Sequence, residues 1–260
     1  MELNNEEKGF TGFALLDGAR FDRNKFIKDF KELWGLDIEE KDNAEQYTLT
    51  FEMNDMVAGF SLVPIAVPDN EATLCAQSNY MWKEAVEVTK SHDAHLIVAV
   101  VGKQESLLEK AKLFVKLLAT CTLQDNVLGI YTNGTVYQPD MYLNFANVMK
   151  KDILPVLDLV WIGMYRDKEG FSAYTDGLSA FGFEEIEVIN ADTEPRNLQT
   201  FVASIVGYVL EQNVTLEDGE NIGFNPTDVH KIKRSSGVAV AGSSLKVDFK
   251  TLALEKKIVH

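Results

Sequence analysis

The run Ala94-His95-Leu96-Ile97-Val98-Ala99-Val100-Val101 most constrains what this chain can fold into. It is almost continuously apolar and strand-length, so it reads as a strand in the middle of a sheet, buried on both faces. The neighbouring patterns agree with a mixed α and β protein. Phe10–Leu16 reads as a first strand. Asp22 then caps a helix over 23–34, whose apolar Phe26, Ile27, Phe30, Leu33 and Trp34 share one face, and Gly35 ends it. Tyr47, Leu49 and Phe51 alternate with polar residues as a half-buried strand does, and 56–65 returns across a turn at Asn54-Asp55. A helix is expected over about 71–90, before the apolar strand.

That order, β-α-β-β-α-β, is the ferredoxin-like split unit. A connector helix follows, with Ser106 and Glu109 as a capping box. The pattern then repeats in outline. Strands are expected at 127–131 and 135–137 around Asn133-Gly134, a hairpin signal. Further expected elements are a helix at 140–150, a hairpin over 157–165 and 171–174, and a strand at 185–189. A helix beginning at Thr193 or Pro195 carries the stripe Leu198, Phe201, Val202, Ile205 and Val209. A turn at 216–224 and a last strand or hairpin within 237–249 complete the reading. The fold class is α+β: two ferredoxin-like halves, 1–104 and 125–260, joined by a connector over 105–124 and sharing one core.

Charge narrows the function classes. The chain carries a net charge of −15 over 260 residues, which argues against binding a phosphate backbone. It suits attraction of a basic protein partner. The stretch 226–260 reverses the trend, with seven basic residues against three acidic ones. It is expected either to pair with an acidic neighbour or to lie as a lysine-guarded edge. Cys75 and Cys121 sit in apolar helical patterns, and no CxxC occurs, so neither a disulfide framework nor a cysteine metal site is expected. The acidic segment 1–7 lacks the apolar stretch of a signal peptide, and no run approaches the ~20 apolar residues of a membrane span. A cytoplasmic protein without cofactor is the expectation.

Two clusters could carry chemistry. His92-Asp93-Ala94-His95 offers two imidazoles to a metal or to acid–base work. Residues three apart on a strand point to opposite faces, however, so the competing reading has His92 at a helix C-terminus and His95 hydrogen-bonded at a strand start. The second cluster, Glu184, Glu185 and Glu187, could hold Mg²⁺ or Ca²⁺ or act as acid and base. Its competing reading is the solvated face of a half-exposed strand. Asp218-Gly219-Glu220-Asn221 lacks the calcium-loop register and reads as a turn. Tyr165, Phe171 and Tyr174 could anchor a partner or pack a hairpin.

Three segments resemble a known family: 91–98 (Ser-His-Asp-Ala-His-Leu-Ile-Val), 175–187 (Thr-Asp-Gly-Leu-Ser-Ala-Phe-Gly-Phe-Glu-Glu-Ile-Glu) and 218–223 (Asp-Gly-Glu-Asn-Ile-Gly), with Gly12-Phe13-Ala14-Leu15-Leu16 similar to its start. It is the bacterial domain-of-unknown-function family 4261, and the resemblance runs from about residue 10 to 249. It implies no catalytic residue. It suggests a bacterial cytosolic protein associated with toxin–immunity and secretion neighbourhoods.

Two functions stand against each other. One is a non-catalytic, immunity-like binding protein that neutralises a basic toxin, with His92, His95, Thr175, Asp176, Glu184, Glu185 and Glu187 as candidate binding residues. The alternative is a hydrolase-type or metal-dependent enzyme built on His92/His95 and Glu185/Glu187. A structural, oligomer-forming role is a third reading, and the sequence leaves oligomeric state open.

Overall fold

A computed structural model describes residues 9–39, 48–102, 106–225 and 228–249. The expected strand start Tyr47, the segment 1–7 and the basic residues beyond 249 lie outside the described residues. The chain is α+β, with two six-stranded sheets and seven α-helices among the described residues. It divides into two compact units, Met1–Trp161 and Ile162–His260.

In the first unit the strands are β1 (Phe10–Leu16), β2 (Thr48–Met53), β3 (Met56–Val63), β4 (Ala94–Gly102), β5 (Val127–Thr132) and β6 (Thr135–Tyr137). They lie in the order β2-β3-β4-β1-β5-β6, with every neighbouring pair antiparallel. The apolar run is therefore an interior strand, as its composition demands. The order departs from the split unit, in which a single strand separates β1 from β2; here both β3 and β4 do. β5 and β6 also join this sheet through β1 rather than opening a second half. The turn residues behave as expected: Asn54 and Asp55 both take positive φ, as do Asn133 and Gly134.

Helices cover both faces. On one, α1 (Arg23–Trp34) packs against α4 (Leu107–Cys121), which lies on β4 and β1. Asp22 accepts a bond from the Lys25 amide, Gly35 closes α1 in the left-handed region, and Ser106 accepts from the Glu109 amide. Gly12 lets α4 approach β1. A Cβ there would lie 2.8 Å from Phe114 Cζ and 3.2 Å from both Leu118 Cδ1 and Thr132 Cβ. Gly12→Ala should therefore destabilise the first unit by about 1–3 kcal/mol through overpacking, read as a lowered denaturation midpoint.

On the other face Leu15, Tyr131 and Val136 meet Val67, Ala72, Ala76, Trp82 and Ala85. The single helix expected over 71–90 is two: α2 (Glu71–Ala76) and α3 (Ala85–Ser91), preceded by a 3₁₀ turn at Pro68–Asn70. Asn79 interrupts it. Its Oδ1 accepts from the amides of Met81 and Trp82, and its Nδ2 donates to the Val136 carbonyl. Such side-chain capping competes with helix continuation. The expected 140–150 helix is α5 (Pro139–Ala146) followed by a 3₁₀ turn (Asn147–Lys151). The expected strand at 157–165 begins late, because Pro155 initiates a helical turn, α6 (Val156–Leu159).

The second unit's sheet runs β10-β11-β12-β9-β8-β7. Its strands are β7 (Trp161–Arg166, which starts at the unit boundary), β8 (Phe171–Asp176), β9 (Ile186–Ala191), β10 (Asn221–Asn225), β11 (Asp228–Ser236) and β12 (Ser243–Val247). β12 pairs with β9 in parallel, and β11 antiparallel with both β10 and β12. The long helix α7 (Pro195–Gln212) packs on β8 and β9 with the expected stripe buried. β10 and β11 were not expected as strands. β11 reads Asp-Val-His-Lys-Ile-Lys-Arg-Ser-Ser, too polar to announce an interior strand.

Candidate functional site

The three carboxylates around β9 serve three separate tasks. Glu184 faces Arg234 of β11: the guanidinium donates through Nε (2.9 and 3.0 Å) and Nη2, and the Ser243 hydroxyl adds a bond. The Arg234 bonds hold the Glu184 carboxyl below its usual range. Glu185 turns back into the loop between β8 and β9. It accepts from the Thr175 hydroxyl at 2.6 Å and from the amides of Gly177 (3.1 Å) and Ser179 (2.9 Å). Thr175 is buried and in turn accepts from the Ile186 amide. Gly177 takes a φ of 127°, where a side chain would be strained.

Glu187 overturns the expected solvated strand face: it is 0% exposed. Its carboxylate accepts from the amides of Val238 (3.1 Å) and Ala239 (2.7 Å), from the Ser244 hydroxyl, and from Lys246 Nζ at 2.6 Å. Burial alone would raise its pKa. The bonds from Lys246, Ser244, Ala239 and Val238 outweigh burial and bring it below the usual carboxylate value. The basic tail strand thus does pair with an acidic neighbour, through Lys246–Glu187 and Arg234–Glu184. Asp176 is more than a third exposed. Partial burial and the Glu185 charge hold its carboxyl above the usual value.

The histidines of the first unit follow the structural reading. His92 Nε2 accepts from the Val67 amide at 2.8 Å, so the proton sits on Nδ1, which donates to the Thr89 carbonyl. His95 Nδ1 lies 2.8 Å from the Ile65 carbonyl, and its ring meets Phe13 edge-on. Burial pushes the His95 pKa down, against the bond to Ile65, which raises it. Both rings tie the chain leaving β3 to the start of β4. Among the described residues no group of three or more His, Cys, Asp or Glu is arranged to hold a metal ion. The hairpin aromatics pack locally: Phe171 lies under the Arg166 guanidinium at 4.9 Å.

The sequence reading missed a groove of about 530 Å³ between the C-terminal end of α7 and β10. Tyr208, Leu216, Ile222 and Phe224 form its apolar part, and Glu220 lines its rim. Tyr208 is 44% exposed and Phe224 52%. The signal lay in α7: Tyr208 stands outside the apolar stripe yet is a large aromatic. Phe224 packs edge-on against Phe201 at 5.9 Å, so it faces the helix side of β10. Ile222 pairs with His230, whose ring also meets Phe201. Alternation then sends Lys231 to the opposite face.

No curated protein and no solved structure shows significant similarity to the chain. The resemblance noted for 91–98 and 12–16 lies outside the part that a family model matches. The part from the end of β8 through β12, which holds the three carboxylate anchors and the groove, is matched: residues 174–248 are similar to the model of a domain of unknown function, DUF4261.

Proposed function

We propose that the chain is a non-catalytic binding protein that takes an extended, basic segment of a protein partner in the groove beside β10. The observation that carries this reading is the pair of half-exposed aromatics, Tyr208 and Phe224, flanking an edge strand. An edge strand offers unpaired main-chain groups to an incoming strand, and alternate side chains of that strand fall into pockets. The groove's electrostatics favour a cation. It lies beside the carbonyl end of the 18-residue helix α7, with Glu220 on its rim, and Glu211 and Glu217 are exposed. The net charge of −15 would speed encounter with a basic partner, which suits an immunity-like inhibitor of a basic toxin. The histidine and glutamate groups that an enzyme would use are engaged in local structural bonds, which favours binding over catalysis.

A synthetic peptide of alternating lysine and valine tests the reading. It should bind with an affinity that weakens as salt is raised, and shift the amide resonances of Ile222, Gly223 and Phe224. Phe224→Ala should weaken binding about tenfold. Absence of binding, or shifts confined to other strands, would overturn the proposal.

A further inference from the structure

We propose that Asp158 is a proton-binding site built into the first unit, whose occupancy controls the packing of α6 against α4 and α5. Asp158 is 1% exposed, and neither carboxylate oxygen has a hydrogen-bond partner among the described residues. Its backbone is held in place: Asn133 Nδ2 donates to its carbonyl at 2.9 Å. Among the described residues, the groups around it supply no cation. Tyr142 of α5 is fully buried with an unpartnered hydroxyl, and Cys121 of α4 is fully buried. Tyr137 of β6 meets the Tyr142 ring edge-on at 5.4 Å and the Trp161 ring at 5.9 Å, and Trp161 Nε1 and Thr135 Oγ1 are also buried with no partner among the described residues.

The nearby lysines point elsewhere. Lys116 and Lys150 both lie over the Trp34 ring, at 5.9 and 5.6 Å. Lys110, the buried lysine of α4, sits in that helix's first turns, about 16 Å along the axis from Cys121. Asp140 on α5 and Lys151 and Asp152 after it are exposed. An ionised carboxylate buried this fully without a partner is strongly disfavoured, so the carboxyl keeps its proton. Burial accordingly raises both the Asp158 carboxyl and the Tyr142 hydroxyl well above their usual values.

The sign of the linkage follows. The folded chain holds a proton that the unfolded chain releases once pH exceeds the ordinary carboxylate value. Stability is then fully present at acid pH and falls as pH rises, until the folded value is passed. All three tryptophans, Trp34, Trp82 and Trp161, lie in this unit, so their fluorescence reports its unfolding. Denaturant titrations of the full chain at pH 6, 7, 8 and 9 should show the unfolding constant rising up to about tenfold per pH unit relative to Asp158→Asn. Parallel pH profiles for the two proteins would overturn the proposal. Should Asp158→Asn fail to fold, infrared spectra at pH 7 decide. A protonated-carboxyl band that moves in Tyr142→Phe supports the site, and the lack of such a band overturns it.

Discussion

Replacing Glu187 by alanine should destabilise the second unit by about 3–5 kcal/mol, the range found when one member of a buried ion pair is removed. The cost has two sources. Lys246, with a side chain only 17% exposed, loses its counter-charge and keeps bonds only to the Ser236 carbonyl and the Ser244 hydroxyl. The amides of Val238 and Ala239 lose their acceptor, and with it the tie between the 237–240 turn and β9. Glu187→Gln should recover little, because its amide brings two further donors to a place where four donors already converge. Hydrogen exchange reads the result directly, as a large loss of protection at Val238 and Ala239 in both variants. A loss below about 1 kcal/mol would show that the carboxylate is less tightly held than its partners indicate.

The two buried carboxylates should give the two units opposite responses to pH. Glu187 is held below the usual value, so its contribution is present above the ordinary carboxylate range and is lost as pH falls through the depressed folded value. Asp158 is raised, so its unit loses stability as pH rises. The difference is one of partners rather than depth: both are essentially inaccessible, but Glu187 has an ammonium, a hydroxyl and two amides, while Asp158 has none among the described residues.

What the sequence revealed of the fold follows from which forces act locally. The apolar run 94–101, the stripes of α1 and α7, the capping box of α4, and the Asn54-Asp55 and Asn133-Gly134 turns depend on periodicity, local side-chain bonds and φ, and they appear where expected. The break between α2 and α3 depends on Asn79 reaching the Val136 carbonyl, 57 residues away in sequence, and no local pattern carries that. β11 was illegible because the partner of its Arg234 is Glu184, an acid 50 residues away in sequence at the entry to β9; a polar strand becomes interior only once such an acid is in place. The carboxylate cluster was legible as a cluster but not in its roles. Spacing predicts which side of a strand a glutamate occupies, not whether a loop such as 237–240 will close over it. Asp158 showed no signal at all, since a lone acid between Leu157 and Leu159 reads as an outward polar position near the start of the strand expected over 157–165.

The family-matched loop yields the second large effect. Glu185→Ala should destabilise the second unit by about 2 kcal/mol, because the Gly177 and Ser179 amides and the Thr175 hydroxyl all lose a charged acceptor. Thr175 is the most exposed to the change in energetic terms. It is fully buried, and its hydroxyl must then serve the Ile186 amide with its own proton left only a long contact, 3.5 Å, to the Ile186 carbonyl. The damage should therefore spread from the loop into the pairing of β8 with β9. Glu185→Gln separates charge from shape: its amide oxygen can still accept from the loop, while the negative charge beside Asp176 is gone. Carbon-13 titration of the Asp176 carboxyl should then show its pKa moving down toward the ordinary value, with partial burial left as the remaining upward influence. An unmoved Asp176 would mean that burial alone raises it, and that the loop is held by the geometry of the Glu185 bonds rather than by its charge.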